Sequence, residues 1–582
     1  MSPNNNKLEL TWVGKYDEQK PVEPRILIEN PKYSYGTVET GVLPNGKPWN
    51  GNMLIHGDNL LALKALEQNF TNAVKCIYID PPFNTGNAFE YYDDGLEHSI
   101  WLNLMFQRIK ILYNLLSYDG AFCLHLDDGE VHYAKVICDE IFGRNNFIAT
   151  VAIRSSTPSG VKTAHKNKKI IKQKDLMLIY KKSDSLTIEP QYVRKQAYDT
   201  HFNYFANKED ATVIPLINVL IREGILKEGE RLQDLDINNP KHRAFYLRYA
   251  DCICQTQSFK NETIKQASRE CVNKIFFVNK GMSNEMMFYN GRQLTPLRNS
   301  LNKVLFGDAI VEDLSVLLCD FWDDIDFQNT QHEGGVDFPN SKKPESMLMR
   351  ILSLFTKEGD IVLDSFLGSG TTAAVAHKMR RRYIGVELGE HAYTHCYNRL
   401  KLVISNEDNR GISKALSWQG GGGFKFYELA PSLLKEDQFG HLVINKEYNA
   451  DMLAAAMAKQ EGFTYEPSED VYWKQGRSSE NDYIYTTTQF MTLESIAAIA
   501  EQMVEGESLL ICCTAFQKEC RNRFSNITIK KIPQMLLGRC EFNHDDYSLN
   551  IIDLPQVECD DEPEDESPIE EAPDFGEEQT LF

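Results

Sequence analysis

Two segments with the rhythm of strand, turn and helix lie far apart in this sequence, and they constrain the fold more than any other feature. The first starts with the apolar run 53–58 (MLIHGD) and the second with the apolar run 361–364 (IVLD). In each segment a turn follows the apolar run, and apolar residues at helical spacing follow the turn. Roughly 200 residues of mixed and less regular sequence separate the two segments. The pattern predicts an α/β fold.

The first segment continues with a helix, for which Asn59 is a candidate N-cap, and with a second strand at 74–79 (VKCIYI). That strand ends at 80–83 (DPPF). Two consecutive prolines remove two amide donors, so this motif lies neither within a helix nor inside a strand. A long helical pattern around Trp101 and a third strand at 121–126 complete the segment.

The second segment carries a glycine turn at 368–373 (GSGTTA), a further strand and then Glu387. This turn fits the loose pattern G-x-G-x-x-G/A, and an acid at the end of the following strand is placed to hold ribose hydroxyls. The pattern predicts a cofactor that contains adenosine, either a dinucleotide or S-adenosylmethionine. A tight turn with a purely structural role is the alternative. The nucleoside-triphosphatase pattern Gly-Lys-Ser/Thr is not found in this turn.

The DPPF motif indicates more specific chemistry. A carboxylate oxygen of Asp80 and the carbonyl of Pro81 can accept the two hydrogens of an exocyclic amino group. Holding both hydrogens pulls the amine toward a tetrahedral shape and points its lone pair outward, ready to attack a sulfonium methyl. Phe83 can stack on the base that carries the amine. A loop that is merely stiffened by Pro81 and Pro82 is the alternative.

The charge balance, 83 acids against 62 bases with a net charge of −21, at first argues against a partner that is a polyanion. However, 12 acids and no Lys or Arg fall within 557–582, a segment that we expect to be a disordered tail. The remainder carries −9. Conversely, nine bases and one acid between Arg154 and Lys182 give +8, which indicates either a solvated surface or a phosphate-binding one.

The 13 cysteines form no pair with the spacing of a zinc site, so no metal site is predicted. No apolar run approaches the ~20 residues of a membrane span, and a reducing cytoplasm suits this cysteine usage. After about residue 416, the glycines of 420–423 indicate a hinge, and strand-like runs such as 508–513 (SLLICC) predict a separate C-terminal α/β domain.

The motifs 80–86 (DPPFNTG) and 364–371 (DSFLGSGT) resemble the catalytic and cofactor motifs of amino-methylating DNA methyltransferases. Further runs resemble the modification (Mod) subunit of type III restriction-modification systems; they are 57–60 (GDNL), Lys343-Pro344, 483–489 (YIYTTTQ) and 526–533 (NITIKKIP). The resemblance implies a Rossmann-like core that uses S-adenosylmethionine, with permuted motif order, an inserted target recognition domain and a C-terminal α/β domain.

The resemblance also implies domain bounds. These are 1–149 for the catalytic half of the core, 150–320 for target recognition, 321–416 for the cofactor half, 417–556 for the C-terminal domain and 557–582 for the acidic tail.

Functional residues are implied in three groups. The target base would be held by Asp80, Pro81, Pro82 and Phe83. S-adenosylmethionine would be bound by Asp58 at its adenine and Glu387 at its ribose, together with Lys343, Pro344, Asp364, Phe366, Gly368, Gly370 and Thr371. Phosphate contacts in duplex DNA would come from Arg154, Lys162, Lys166, Lys168, Lys169, Lys172 and Lys174.

The implied activity is methylation of adenine N6 after rotation of the base out of the duplex. Cytosine-N4 methylation is the alternative, although members that act on cytosine usually carry serine in place of Asp80. Two further alternatives are a DNA-binding scaffold with a vestigial site and a methyltransferase for a protein amide or RNA. The implied partners are double-stranded DNA, a second copy of the chain in a homodimer, and a restriction (Res) subunit that supplies helicase and nuclease functions.

Overall fold

The computed structural model describes residues 10–12, 14–16, 20–82, 88–89, 92–93, 98–157, 170–327, 330–338 and 342–547. Several sequence predictions fall outside these residues and stay predictions. They concern Phe83, Lys162, Lys166, Lys168, Lys169 and the acidic segment 557–582.

An eleven-stranded sheet forms the centre of the molecule. Its strands, labelled β1 to β11 in chain order, are Leu27–Glu29, Tyr35–Gly36, Asn52–His56, Val74–Ile79, Leu116–Leu126, Phe147–Arg154, Lys174–Lys181, Phe321–Trp322, Ile361–Asp364, Arg382–Glu387 and Gly423–Leu429. The strand order is β1-β11-β3-β10-β9-β4-β5-β7-β6-β8, and β2 pairs with β11. The six strands from β11 to β5 in this order are parallel.

The two segments that are distant in sequence therefore share one sheet. Strand β4 of the first segment lies beside β9 of the second, and Cys76 and Ile77 are paired with Val362 and Leu363. This arrangement confirms the predicted Rossmann-like α/β core. It also brings the DPPF motif next to the glycine turn, because both follow the carboxyl ends of neighbouring parallel strands.

Eleven α-helices are found in the described part of the chain. They are α1 Asn59–Phe70, α2 His98–Leu115, α3 Val131–Cys138, α4 Leu216–Arg222, α5 Pro240–Arg248, α6 Glu262–Glu270, α7 Glu345–Phe355, α8 Thr371–Lys378, α9 Tyr397–Ile404, α10 Ala450–Gln460 and α11 Leu493–Gln502. The N-cap of α1 is Asp58, not Asn59 as the sequence indicated, because the Asp58 side chain accepts the N–H of Leu61.

Helices cover both faces of the central sheet. One apolar core contains Ile77 of β4 together with Leu63 of α1 and Trp101 of α2. The other contains Tyr78, the next residue of β4, together with Ile351 of α7 and Leu400 of α9. Successive strand residues thus enter opposite cores, as a sheet buried on both faces requires.

An inserted unit lies between β7 and β8 and carries α4, α5, α6 and two antiparallel sheets. Its six-stranded sheet contains Tyr204–Asn207, Thr212–Pro215, Ile253–Gln257, Phe276–Val278, Met286–Tyr289 and Arg292–Pro296. Its three-stranded sheet contains Tyr192–Arg194, Leu301–Phe306 and Ala309–Leu317.

The start of the insertion predicted at residue 150 is corrected by the sheet. This position falls inside β6, which pairs with β7, and β7 pairs with β5 of the core. The inserted unit begins only after Lys181. The cause is that β6 and β7 form an antiparallel pair near one edge of the central sheet. The local sequence of such strands does not differ from that of strands in a separate domain.

The C-terminal unit is an α/β domain, as predicted. Its main sheet contains Thr464–Tyr465, Gly476–Arg477, Asp482–Met491, Ser508–Phe516 and Ile527–Lys531, and its last three strands are parallel. It begins later than the predicted residue 417, because β11 belongs to the central sheet. Lys459 of α10 donates to the carbonyl of Ala65 in α1 at 2.6 Å, so this domain rests against the core.

Twelve cysteines lie in the described part of the chain, and all of them are free thiols. None of the described helices is both long and apolar enough to cross a membrane.

Candidate active site

Four acidic residues line one edge of the central sheet. Asp364 and Glu387 are the last residues of β9 and β10, Asp80 follows β4 directly, and Asp58 follows β3 by two residues. Because these strands are parallel neighbours in the order β3-β10-β9-β4, their carboxyl ends meet at this edge. Ligands of open α/β sheets bind at such an edge. The structure thus brings the sequence-predicted catalytic and cofactor residues together.

Asp80 has one carboxylate oxygen engaged and one open. Its Oδ2 forms an ion pair with Nζ of Lys343, and the two side chains are 17% and 14% exposed. Within the described part of the chain, Oδ1 is buried and has no hydrogen-bond partner. A buried acceptor without a donor costs free energy of about 1–3 kcal/mol. A ligand that brings an N–H donor to Oδ1 removes that cost, so the site suits an amino group.

The diproline that follows Asp80 is held by a tryptophan. Nε1–H of Trp101, a fully buried residue of α2, donates to the carbonyl oxygen of Pro82 at 2.8 Å. Pro81 is buried as well. Sequence analysis assigned Trp101 to the apolar pattern of a helix and not to the site. A buried tryptophan usually finds a hydrogen-bond acceptor for its indole N–H, so this donor was a signal that could have suggested the contact.

The glycine turn has the backbone that its sequence predicted. Gly368 and Gly370 have φ values of 55° and 81°, and Gly370 is the N-cap of α8. A Cβ on Gly370 would lie 3.2 Å from Cα of Cys396, in addition to its strained φ. The turn therefore leads directly into a helix N-terminus, whose free N–H groups favour anionic or oxygen-rich ligands.

The Asp364 side chain accepts hydrogen bonds from residues on both sides of the glycines in this turn. Its Oδ1 accepts the N–H of Phe366 at 2.9 Å, and its Oδ2 accepts the hydroxyl of Thr372 at 2.6 Å. Burial raises the pKa of Asp364 to about 7, the two hydrogen bonds oppose this shift, and the nearby carboxylates of Asp80 and Glu387 add to it. Burial thus favours the protonated form of this side chain more than in an exposed aspartate.

Glu387 also faces the glycine turn. Its Oε2 accepts the N–H of Gly368 at 2.7 Å, and its Oε1 accepts the N–H of Gly389 at 3.2 Å. Only 3% of the residue is exposed. Glu387 therefore holds the loop, and its predicted contact with ribose stays a prediction.

Asp58 is buried as well, with both oxygens engaged. Its Oδ1 caps α1 through Leu61 at 3.0 Å. Its Oδ2 accepts from the guanidinium of Arg108 at 3.3 Å and from the backbone N–H of Tyr547 at 3.1 Å. Its predicted contact with the cofactor adenine stays a prediction. The sequence did not single out Arg108, although a charged residue in an apolar helical pattern was a signal.

A buried charge network supports the glycine turn from the other side. Arg399 donates to Oγ1 of Thr371 at 2.7 Å and to Oε1 of Glu345 at 2.8 Å. Lys378 donates to Oε2 of Glu345 and to Asp408, each at 2.7 Å. Burial raises the pKa of Glu345, but the charges of Lys378 and Arg399 outweigh it, and the net shift is downward. Sequence reasoning missed this network.

Lys343 and Pro344, which the resemblance placed on the cofactor side, lie in a short segment before α7. Pro344 is the N-cap of that helix. The Lys343 ammonium lies on Asp80. The pairing links the predicted cofactor segment to the predicted catalytic residue.

Three of the predicted DNA-binding residues are described. Arg154 is exposed at the end of β6. Lys172 pairs with Asp127 at 3.2 Å and with Asp175 at 3.0 Å. Lys174 pairs with Asp128 at 2.6 Å. Lys172 and Lys174, the two lysines of this set that the structure describes, are therefore each paired with an acid.

Lys182 is one of the nine bases behind the net charge of +8 between Arg154 and Lys182, but its role is structural. It is 9% exposed, and its Nζ donates to the carbonyls of Tyr113 and Leu116 at 2.7 and 2.6 Å. These carbonyls belong to the end of α2 and the start of β5. Lys182 therefore stabilises the helix terminus.

Comparison with known proteins finds several relatives that are Mod subunits of type III restriction-modification enzymes. The Mod subunit of the probable type III restriction-modification enzyme HindVI from Haemophilus influenzae is 34% identical over 409 residues, covering 65% of this chain and 54% of the relative. The StyLTI Mod subunit from Salmonella typhimurium is 25% identical, covering 63% and 55%. The chain thus spans about half the length of these two relatives. The EcoP15I Mod subunit from Escherichia coli is 25% identical, covering 69% and 68%.

A solved structure, the M1.HpyAVI complex with S-adenosylmethionine, is 14% identical and covers 60% of this chain and all of its own, with a TM-score of 0.28. The family model N6_N4_Mtase, described as DNA methylase, matches residues 74–399. This match runs from β4 through the glycine turn to α9 and includes Asp80, Asp364 and Glu387. Since it covers more than half of the 582 residues, the chain belongs to the DNA methylase family.

Proposed function

We propose that the chain transfers a methyl group from S-adenosylmethionine to N6 of adenine in duplex DNA. The observation that carries this proposal is the open acceptor of Asp80. Oδ1 is buried without a partner among the described residues, at the end of β4 and beside the glycine turn that follows β9. Membership of the DNA methylase family supports the same reaction.

The residues of the sheet edge fit S-adenosylmethionine. The left-handed glycines Gly368 and Gly370 keep side chains away from the turn and leave room for a ligand to approach the backbone. The carboxylate of Glu387, at the same edge of the sheet, suits a ligand with a positive charge. When bound, the cofactor supplies an electrophilic methyl group.

The chain's own residues act on the amine. Oδ1 of Asp80 and the carbonyl of Pro81 accept the two amino hydrogens, so the nitrogen lone pair points away from the protein and toward the methyl donor. Attack on the cofactor's methyl group would break its bond to sulfur and would leave the nitrogen positively charged and acidic. Oδ1 of Asp80, which accepts one of the amino hydrogens, would then take that proton and leave the neutral methylated base. The Trp101 contact to Pro82 keeps this loop in one conformation.

Adenine is preferred to cytosine because position 80 is an aspartate. The family model spans both N6 and N4 methylation, so cytosine N4 is the second candidate. In either case the base must leave the helical stack before its amine can reach Asp80. Phe83, which lies outside the described residues, is proposed to stack on the flipped base.

We also propose that the chain is the DNA-recognition and modification subunit of a type III complex. Several relatives are Mod subunits, at 34% and 25% identity. The inserted unit after Lys181 is proposed to read the target sequence, with Arg154 at its base contacting phosphate. A separate restriction subunit and a homodimer are proposed on the resemblance, and a cytoplasmic location is proposed on the cysteine usage.

Transfer of labelled methyl groups to duplex DNA tests the activity. The wild-type protein should label adenine, and Asp80→Ala should abolish labelling while retaining DNA affinity. Equal labelling by both proteins would contradict the assigned role of Asp80. DNA binding without any methyl transfer by the wild type would instead favour a scaffold with a vestigial site.

A further inference from the structure

We infer that Lys343 is a positioning residue for the methyl-transfer reaction. It holds the Asp80 carboxylate through Oδ2 so that Oδ1 alone is presented to the substrate amine. The inference rests on the proposed function and deepens it. It gives Lys343 a place beside the reacting base, whereas the family resemblance implies a place beside the cofactor.

The geometry at Asp80 is the first support. The Lys343 ammonium contacts Oδ2, and both side chains are largely buried. Oδ1 is the buried oxygen without a partner among described residues. A carboxylate held at one oxygen cannot rotate freely, so its second oxygen keeps one direction. This is the preorganisation that a hydrogen-bonded amine requires.

The segment that carries Lys343 is fixed on both sides. On one side, Nζ of Lys342 donates to the carbonyls of Glu333 and Val336. On the other, the N–H of Glu345 donates to Oε2 of Glu333 at 2.8 Å, and the Glu345 side chain is fully buried. The backbone at Lys343 therefore has little freedom, and its side chain starts from a defined point.

The same segment reaches the glycine turn. Two residues after Lys343, Glu345 pairs with Arg399, and Arg399 donates to Thr371 at the start of α8. Lys343 thus contacts Asp80, whereas Glu345 supports the glycine turn that is proposed to bind the cofactor. Loss of the Lys343 ammonium should therefore affect the chemical step more than the affinity for cofactor.

Charge gives a second reason for the ammonium. Asp80 lies near Asp364, whose pKa it helps to raise, and near Tyr78, whose pKa burial and then Asp80 raise. Lys343 also interacts with Asp175, which is paired further with His125 and Lys172. Of these neighbours, Lys343 is the one that brings a positive charge directly onto Asp80. Without it, the Asp80 carboxylate would face other acids and turn away from them.

Single-turnover methylation of an adenine-containing duplex by Lys343→Met and Lys343→Arg tests the inference. We expect Lys343→Met to slow methyl transfer at saturating S-adenosylmethionine by about 100-fold, the size of a small misplacement at a reacting centre. Its dissociation constants for S-adenosylmethionine and DNA should stay within about two-fold of wild type. Lys343→Arg, which keeps the charge, should recover at least about ten-fold of the loss.

Lys357→Met is the matched control, because Lys357 is 75% exposed and pairs with Glu189 at 3.5 Å away from this edge. It should methylate like wild type. For Lys343→Ala, added methylammonium should restore part of the rate, whereas sodium chloride at the same ionic strength should not. This rescue reports on charge at the site and is independent of a small loss of stability.

Three results would overturn the inference. In the first, Lys343→Met binds S-adenosylmethionine more weakly but keeps its rate at saturation, which would place Lys343 in cofactor binding. In the second, Lys343→Met changes neither the rate nor the affinity; in the third, the Met and Arg variants lose rate equally and methylammonium rescues nothing. A wild-type protein without methyl transfer would instead contradict the proposed function, so the two failures are distinguishable.

Discussion

Trp101 donates its indole N–H to the carbonyl oxygen of Pro82 at 2.8 Å, and this bond joins α2 to the loop that follows Asp80. A rigid loop keeps the two acceptors for the amine in place. Trp101, a buried core residue, is therefore expected to affect the rate of methyl transfer.

Trp101→Phe removes this donor and keeps an aromatic ring in the core. We expect methyl transfer to slow by about ten-fold, the size of a lost hydrogen bond of about 1.4 kcal/mol. Single-turnover kinetics measure the effect. Trp322→Phe is the control, since Trp322 is also buried and donates Nε1–H to a backbone carbonyl, that of Cys319. Equal losses in both variants would indicate a general packing effect.

Arg399→Met should destabilise the protein and loosen the glycine turn. The substitution leaves Glu345 with one of its two cationic partners and leaves Thr371 without its guanidinium donor. Breaking a buried pair costs about 3–5 kcal/mol. We expect a lower free energy of unfolding in urea and weaker S-adenosylmethionine binding. The exposed Arg222, substituted in the same way, should change neither; unchanged stability of Arg399→Met would refute the role of the network.

Asp364→Asn should alter how stability depends on pH. The pKa of Asp364 is raised from its ordinary value of 3.8 to about 7 in the folded protein, mainly by burial. Between these values the folded state holds a proton that the unfolded state has released. This group therefore lowers the free energy of unfolding as pH rises, by up to about 1.4 kcal/mol per unit.

Asparagine removes that dependence. The stability of Asp364→Asn relative to wild type should increase from about pH 4 to about pH 7 and level off above. Urea titrations at a series of pH values give the difference. A difference that stays constant across this range would show that the Asp364 carboxyl group does not titrate there.

Arg154 and Lys174 should differ in their contribution to DNA binding. Both residues are exposed, but Lys174 forms an ion pair with Asp128 at 2.6 Å, whereas Arg154 at the end of β6 interacts with Asp324 through charge without a hydrogen bond among the described contacts. We expect Arg154→Gln to reduce the slope of log affinity against log salt by about 1, the value for one phosphate contact, and Lys174→Gln to change it little. Binding titrations at several salt concentrations measure both slopes. A larger change for Lys174→Gln would reverse this assignment.

The local parts of the fold and site were predictable from the sequence. The apolar runs of β4 and β9, the two prolines after Asp80 and the glycines before α8 each depend on near neighbours in the chain, and all lie where the pattern placed them. Local pattern did not separate the return strands β6 and β7 from the inserted unit, because strand pairing is decided by distant residues.

Contacts between distant charged residues were not predictable. Lys343 meets Asp80, and Arg399 meets Glu345, only after the two halves of the core share a sheet. Arg108 was similarly hidden in an apolar helix, where its partner Asp58 gives no periodic signal. Buried charges require partners, but the sequence does not identify which partner will be chosen.

The most direct test of adenine methylation by this chain is modified-base sequencing of DNA from cells that express it and, in parallel, its Asp80→Ala variant. We expect N6-methyladenine at one recurring sequence context in the first sample and none there in the second. Modification of cytosine N4 would contradict the assignment of the base, and no modified adenine under strong expression of the wild type would contradict the proposed reaction.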